Sequence, residues 1–290
     1  MTKRSRKRII LSVLIIIAVI LLAVWIEKDN KALELNEITV SSADIPASFS
    51  GYRIAHVSDL HNAEMGENNA DLLDLLRECE PDMIAITGDI IDSRRTNTGV
   101  ALDFAREAVK IAPCYYTNGN HESRVWNEYK AFEAELRDIG VNVLRNEIVE
   151  LEANGEKITL LGLDDPSFAT YDERNVGDPN MLTSLITTAL SGNDYYVVLM
   201  AHRPEFFEVY ESCGVDLVLS GHAHGGQIRL PFIGGLFSPG QGFFPKYTSG
   251  LYTKNETNMV VSRGIGNSRF PFRVANRPEV VLVELRSEEV

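Results

Sequence analysis

The pattern of hydrophobic positions begins with one long apolar run near the N-terminus. Residues 9–26 number eighteen, and only Ser12 among them falls outside the hydrophobic set. A helix needs about 17 such residues to cross the hydrocarbon core of a bilayer. The run therefore predicts one N-terminal transmembrane helix. It divides the chain into a basic tail with its anchor, residues 1–30, and a second part, residues 31–290.

The flanks of this run bear on its processing and its orientation. A cleavable signal peptide is the alternative, but its apolar region usually spans about 7–15 residues and ends at a small-x-small site. No Ala-x-Ala follows the run. Five basic residues and no acidic residue precede it, whereas charges of both signs follow it. Because basic flanks stay in the cytoplasm, the pattern favours a single-pass anchor of the cell membrane with a cytoplasmic N-terminus and an extracytoplasmic domain.

After the anchor, short apolar runs alternate with amphipathic stretches. Strands are predicted at residues 52–58, 83–87, 114–117, 141–144, 148–152, 157–163, 195–200, 215–220, 258–262 and 280–285. Helices are predicted at 69–79, 98–111, 125–139 and just after Pro204. No repeat or linker divides residues 31–290, and their length suits one domain. The alternation predicts an α/β fold.

Charge and composition exclude some functions. The net charge of the whole chain is −13, and because residues 1–26 carry five basic groups and no acid, residues 27–290 carry −18. A protein that grips phosphate backbones needs surplus Lys and Arg, so no nucleic acid polymer is expected as a partner. Neither a Gly-x4-Gly-Lys-Ser/Thr loop nor a Gly-x-Ser-x-Gly elbow occurs, which removes nucleotide triphosphatases and serine hydrolases as first choices.

Polar side chains with metal-binding chemistry follow five of the predicted strands. Five of the six histidines lie at or just beyond a strand end, and the carboxyl ends of strands in α/β sheets converge on one edge. Asp59 and His61 are two positions apart, which in an extended segment points both side chains the same way, and His222 and His224 repeat this spacing. Mixed carboxylate, imidazole and amide ligands suit Mn²⁺, Fe or Zn²⁺. The candidate ligands are Asp59, His61, Asp89, Asn120, His202, His222 and His224, with His121 beside them.

The order of these blocks resembles the calcineurin-like metallophosphoesterases. The blocks are Asp59-x-His61, Gly88-Asp89, Gly119-Asn120-His121-Glu122, His202 and Gly221-His222-x-His224. The resemblance implies a four-layer α/β/β/α sandwich with a centre of two divalent metal ions. It also implies that Asp59, His61 and His224 hold one ion, that Asn120, His202 and His222 hold the other, and that Asp89 bridges them. His121 corresponds to the histidine that acts as general acid or stabilises the transition state.

This resemblance implies hydrolysis at phosphorus. Two ions about 3.5–4 Å apart can clamp a phosphoryl group and activate a water molecule. Residues 225–227 and 277–279 are similar to a branch of membrane-anchored bacterial phosphodiesterases, which is itself similar to enzymes that cleave UDP-diacylglucosamine. The expected substrate is a phosphorylated small molecule or a lipid, with the membrane bilayer as a further partner. Two alternatives stay open: a pyrophosphatase of the UDP-diacylglucosamine type that faces the cytoplasm, and a catalytically silent metal-binding module.

Two further features admit both a structural and a functional interpretation. His56 lies within a predicted strand and outside every block, which favours a hydrogen-bonded structural histidine. Residues 230–247 interleave aromatic side chains with Gly and Pro directly after the His222 and His224 block, so they cannot form a regular element. Either these aromatics pack on the domain, or they form an apolar lip that holds an acyl chain or touches the bilayer.

Overall fold

The computed structural model describes residues 3–169, 178–267 and 270–288. Its first element is a long helix, α1 (Lys3–Lys31), whose apolar part is exposed along its length. This helix is long and apolar enough to cross a membrane. The sequence prediction of an N-terminal spanning segment is confirmed to that extent. Strand β1 begins only three residues later, at Glu34.

Two six-stranded sheets form the centre of the rest of the chain. The strands of the first sheet, in spatial order, are β1 (Glu34–Ser42), β16 (Glu279–Ser287), β2 (Arg53–Val57), β3 (Met83–Thr87), β4 (Cys114–Thr117) and β5 (Asn142–Val143). Those of the second are β14 (Gly250–Lys254), β15 (Thr257–Val261), β9 (Leu217–Ser220), β8 (Val197–Met200), β7 (Glu156–Gly162) and β6 (Glu147–Ala153). In both sheets the strands that lead to the predicted ligands run parallel to one another.

Helices cover the outer face of each sheet. On the first sheet these are α2 (Ala70–Glu78), α3 (Thr98–Ala108) and α5 (Trp126–Ile139), and on the second α6 (Pro179–Ala189) and α7 (Phe207–Ser212). A short helix, α4 (Asn120–Arg124), lies between β4 and α5. Two small hairpins, β10 (Arg229–Leu230) with β11 (Gly234–Gly235) and β12 (Phe237–Ser238) with β13 (Gly242–Phe243), are the only strands described within residues 228–244.

Alternating side chains divide the core into three layers of apolar contact. On β3, Met83 and Ala85 face the second sheet, whereas Ile84 and Ile86 face α2, α3 and α5, because successive side chains of a strand point to opposite faces. The same alternation on β8 separates the layer between the sheets from the layer under α6 and α7. The molecule is therefore the four-layer α/β/β/α sandwich that the resemblance implied.

Candidate metal centre

The eight predicted site residues lie together where strands of both sheets end. β2, β3 and β4 of the first sheet lead to Asp59, Asp89 and Asn120, and β8 and β9 of the second lead to His202 and His222. All eight side chains are buried. The convergence that was expected from the strand ends is therefore present, although the roles of the residues follow only from their chemistry.

The first group of donors combines one carboxylate and two imidazoles. Nε2 of His61 lies 3.2 Å from Nε2 of His224. Oδ1 of Asp59 lies 3.7 Å from the first of these nitrogens and 3.4 Å from the second. The three ligand atoms are thus close enough together to contact a single metal ion.

The second group comes mainly from the other sheet. Nδ1 of His222 lies 3.2 Å from Nε2 of His202, and the side-chain amide of Asn120 lies 2.8 Å from the same Nδ1. Oδ2 of Asp89 is 3.3 Å from Nε2 of His202 and 3.6 Å from Nε2 of His61. Asp89 therefore stands between the two groups and contacts both.

The protonation chemistry of these atoms fits a bound cation. Within the residues that the structure describes, Oδ1 of Asp59 is buried and has no hydrogen-bond partner, which is costly unless a positive charge faces it. Burial raises the pKa of Asp59, but the surrounding histidines outweigh that effect and hold the pKa far below its usual range. Burial lowers the pKa of His202, yet the Asp89 carboxylate outweighs it and raises the pKa to about 10. The pKa of Asp89 is likewise held well below its usual range. Asp59 and Asp89 are therefore both ionised, and their negative charges favour a cation at this site.

The backbone at the ligands differs from the sequence expectation. An extended segment was expected to point Asp59 and His61 the same way, and likewise His222 and His224. Instead, all four residues have positive φ, between 46° and 62°. Their side chains converge because the chain turns through the left-handed region immediately after each strand, and this region is open mainly to Gly, Asn, Asp and His. The expectation of a shared direction was right, but its structural reason was wrong.

Glycines before the ligands act in two ways. Gly88 has a φ of +84° and supplies the left-handed turn. Gly119 and Gly221 do not have positive φ; a Cβ on Gly119 would collide with the Asp89 carboxylate and one on Gly221 with the Ser58 hydroxyl. At these two positions glycine is needed for space rather than for conformational freedom.

Sequence reasoning missed Glu122 as a support of the site. Its carboxylate accepts hydrogen bonds from the backbone N–H of Asp89, Gly119 and Ile91, at 2.9, 2.8 and 3.2 Å. Burial, followed by the charge of Asp89, raises the pKa of Glu122 to about 7. Glu122 therefore ties the ends of β3 and β4 together, and the block Gly119-Asn120-His121-Glu122 already contained it.

His121 lies on α4 beside the first donor group. Its ring is 4.5 Å from that of His61, and its Nδ1 accepts a hydrogen bond from the Ser93 N–H at 3.1 Å. Burial lowers the pKa of His121 to about 4. A neutral ring that accepts at Nδ1 carries its proton on Nε2. Asp92, whose Oδ1 lies 3.4 Å from Nδ1, was also missed; its only signal was its position three residues after Asp89.

A cavity of about 520 Å³ opens beside these side chains. Asn120, His121, His222 and His224 form part of its wall, and the arginines Arg94, Arg124 and Arg203 form another part. Phe237 and Phe270 supply an apolar wall. The buried Arg203 is fixed by Asp165 at 2.7 Å and Glu205 at 3.2 Å, and its guanidinium lies 3.4 Å from His222. The cavity can take a group that is anionic at one end and apolar at the other.

The structure bears on His56 and on the aromatic stretch 230–247, for which the sequence left two interpretations open. His56 is fully buried and its Nε2 lies 2.7 Å from the Thr87 hydroxyl, which confirms a structural histidine. The interpretation that the aromatics of residues 230–247 pack on the domain is wrong for Phe232 and Phe244, because their side chains are 108% and 65% exposed. Phe243 is 72% exposed and contacts the ring of Phe237.

Comparisons with known proteins agree with this geometry. The profile of the family described as calcineurin-like phosphoesterase matches residues 52–226. The chain is similar to the uncharacterized metallophosphoesterase YkuE of Bacillus subtilis, with 31% identity over 88% of this chain and 86% of that protein. It is also similar to the phosphodiesterase YaeI of Escherichia coli, with 27% identity over 81% of this chain and 82% of that protein.

The fold has a counterpart among solved structures. The protein TT1561 of Thermus thermophilus superposes with a TM-score of 0.51 and 13% identity, over 74% of this chain and 91% of that one. This likeness concerns the fold alone. The profile match spans more than half of the chain and includes every proposed ligand, so the chain belongs to the calcineurin-like phosphoesterases, a family of metal-dependent hydrolases.

Proposed function

We propose that residues 31–290 hydrolyse a phosphodiester or pyrophosphate bond of a lipid-linked or nucleotide substrate at the cell envelope. The observation that carries this proposal is the pair of buried donor groups that share Asp89 and border a cavity lined by three arginines. The apolar wall of the same cavity supports a substrate with an apolar portion. Similarity to a protein named phosphodiesterase supports a diester rather than a monoester.

The two donor groups suggest how metal ions are held. Asp59, His61 and His224 would bind one divalent ion, and Asn120, His202 and His222 the other, with Asp89 between them. Imidazole, carboxylate and amide donors suit Mn²⁺, Fe or Zn²⁺. When bound, such ions polarise a phosphoryl oxygen and activate water for attack at phosphorus.

The remaining side chains orient the substrate and stabilise the charge that develops on it. Arg94, Arg124 and Arg203 line the cavity, and guanidinium groups recognise phosphate oxygens through paired hydrogen bonds. His121 carries its proton on Nε2 because Nδ1 accepts from Ser93. The Nε2–H can therefore donate a hydrogen bond to a phosphoryl or leaving oxygen and stabilise the negative charge that develops there in the transition state.

The proposal includes the location of the enzyme. Residues 1–30 would form a cytoplasmic tail with a single membrane-spanning helix, and the catalytic domain would lie outside the cytoplasm. The exposed apolar surface of α1 supports the anchor, and the five basic residues before the apolar run support the orientation.

Replacement of the shared carboxylate tests the proposed reaction. The full-length protein in detergent should hydrolyse bis-p-nitrophenyl phosphate when Mn²⁺ is added. Asp89→Asn should lower that rate by more than about 100-fold, because it removes a charge that both ions would share. The measurement is the release of nitrophenol at saturating Mn²⁺.

A matched control separates site chemistry from folding. Asp103→Asn makes the same change on the surface of α3, where the side chain is 65% exposed, and it should leave the rate unchanged. If the wild-type protein shows no metal-dependent rate at all, the chain is a silent metal-binding module and the proposed reaction is wrong.

A further inference from the structure

The last turn of the membrane helix α1 is hydrogen-bonded into the domain. The Asn30 amide donates to the carbonyl of Arg273 at 2.8 Å and accepts from the Arg273 N–H at 2.7 Å. It also lies 3.3 Å from the amide of Asn267. Next to it, the buried Asp29 pairs with Arg277 at 2.6 Å. These contacts attach Asn267 and residues 270–277, which we together call the anchor segment, directly to the end of α1.

Because of this attachment, no flexible linker separates α1 from the domain. The helix continues without interruption to Lys31, so Asn30 lies four residues beyond the apolar run that ends at Ile26. At about 1.5 Å per residue this is about 6 Å along the axis, and the headgroup layer on each side of the hydrocarbon core is about 5–8 Å thick. Asn30, and the anchor segment bonded to it, therefore lie at headgroup depth when α1 spans a bilayer.

The anchor segment also forms part of the active-site cavity. Phe270 lines the cavity and packs against Phe237, with ring centroids 6.1 Å apart. Phe237 in turn packs against Phe243 at 5.3 Å. Phe270 is three residues from Arg273, which is at most about 11 Å along the chain. The wall of the cavity that Phe270 forms therefore lies close to the end of α1.

Exposed apolar side chains concentrate at the same place. Outside α1, ten large hydrophobic side chains of the described residues are exposed, and seven of them fall within residues 230–244 and 270–272. A backbone hydrogen bond from Arg229 to Val274 joins these two stretches. We call these seven the aromatic rim: Leu230, Phe232, Ile233, Phe243, Phe244, Phe270 and Phe272.

We propose that the aromatic rim enters the interfacial layer of the bilayer that α1 spans, so that the active-site cavity opens at the membrane surface. Large apolar patches on soluble surfaces mark interaction sites, and apolar side chains such as Phe and Leu can be buried at the boundary between the headgroups and the acyl chains. The substrate would then be an amphiphile, with its phosphate at headgroup depth against the cavity arginines and its chains in the bilayer. The assignment of an amphiphilic substrate rests on the proposed phosphoesterase function, whereas the position of the rim at the membrane does not.

A depth measurement tests the position of the rim. Full-length protein with Cys213→Ser is placed in lipid nanodiscs, a cysteine is introduced by Phe244→Cys or Phe272→Cys, and each cysteine is labelled with a fluorophore. Lipids with a nitroxide near the headgroup should then quench these labels. Tyr195→Cys is the matched control, because Tyr195 is 44% exposed and precedes β8, at the end of the sheet opposite the site. Quenching of both rim labels no stronger than that of the control would overturn the proposal.

A comparison of two substrates tests the assignment of an amphiphilic substrate. The double variant Phe243→Ser/Phe244→Ser should lower kcat/KM for a phosphodiester with acyl chains, presented in nanodiscs, by at least about tenfold relative to bis-p-nitrophenyl phosphate. An equal loss on both substrates would overturn the amphiphile assignment. Absence of any hydrolysis by the wild type would instead refute the proposed function, and the quenching result would still decide where the rim lies.

Discussion

Five of the proposed ligands hold a backbone conformation that most residues avoid. Asp59, His61, Asp89, His222 and His224 have φ values of 53°, 48°, 51°, 62° and 46°. Such strained positions persist only where the surrounding structure fixes them, and each costs of the order of 1–3 kcal/mol. In addition, the carboxylates of Asp59 and Asp89 are both buried in the site, and burial and the charge of Asp89 both act to raise the pKa of Asp59. A bound cation would offset both costs, so metal binding should stabilise the fold.

Removal of metal should therefore lower the melting temperature. A ligand present at about 100 times its Kd stabilises by about 2.7 kcal/mol, and a domain of this size loses about 2–4 °C per kcal/mol. Chelation with EDTA should lower the midpoint by roughly 5–10 °C, and excess Mn²⁺ should restore it. The change is measured by differential scanning fluorimetry of the full-length protein.

The control for this prediction is a variant that lacks the carboxylate between the two donor groups. Asp89→Asn should show a much smaller difference between chelated and Mn²⁺-loaded samples. Identical melting curves for the wild type with and without chelator would contradict the link between the ligand conformation and metal binding.

Part of the site could be read from the sequence and part could not. The eight predicted residues each follow a strand within their own block, so local sequence reveals them. Glu122 and Asp92, which were missed, lie within or close to these blocks, but another missed residue is distant in sequence. Arg273 is fully buried, its guanidinium lies 3.4 Å from Nδ1 of His224, and it is 49 positions away from that residue along the chain. Only the fold brings such a residue to the site, and no pattern in its own segment marks it.

At the scale of elements, the predictions were accurate where burial imposes a pattern. The buried strands β3 and β4 were predicted with their observed bounds. By contrast, β1 was missed because its residues are mostly half-exposed and its sequence, ELNEITVSS, carries little apolar alternation. Helix α6 was missed although Asp178 caps it and Pro179 starts it. β1 is at the edge of its sheet and α6 lies on an outer face, and both are held by residues that are distant in sequence. The hydrophobic pattern within each of these segments is therefore a weak signal.

The contact between α1 and the anchor segment gives a prediction at this scale. Asn30→Ala removes the hydrogen bonds to both backbone groups of Arg273. The loss of such bonds costs about 1–3 kcal/mol, so amide exchange in residues 270–277 should become roughly tenfold faster or more. Hydrogen exchange with mass spectrometry, on the protein in nanodiscs, measures this.

A neighbouring surface change serves as its control. Lys31→Ala removes only an exposed ion pair with Glu27, and such pairs contribute little. It should leave exchange in residues 270–277 unaltered. If Asn30→Ala has no more effect than Lys31→Ala, the anchor segment does not depend on α1 for its order.

At the scale of the whole molecule, the proposed orientation can be tested directly. A protease added to intact cells or spheroplasts should degrade the domain formed by residues 31–290, because the proposed orientation places the basic residues before α1 in the cytoplasm. Immunoblotting of the domain measures the loss, and a cytoplasmic protein serves as the control for lysis. Full protection would place the domain in the cytoplasm and favour a nucleotide-lipid substrate that is made there.

The pairing of β1 with β16 has a consequence for synthesis. Glu34 pairs with Glu279, and β16 lies between β1 and β2. A ribosome adds about 5–20 residues per second, so β1 waits roughly ten to fifty seconds for its partner. During that time β1 and the adjacent edge of β2 present unpaired backbone, which is the condition that promotes aggregation. The nascent chain therefore needs protection until β16 emerges, and a truncation before residue 279 would leave the first sheet permanently open.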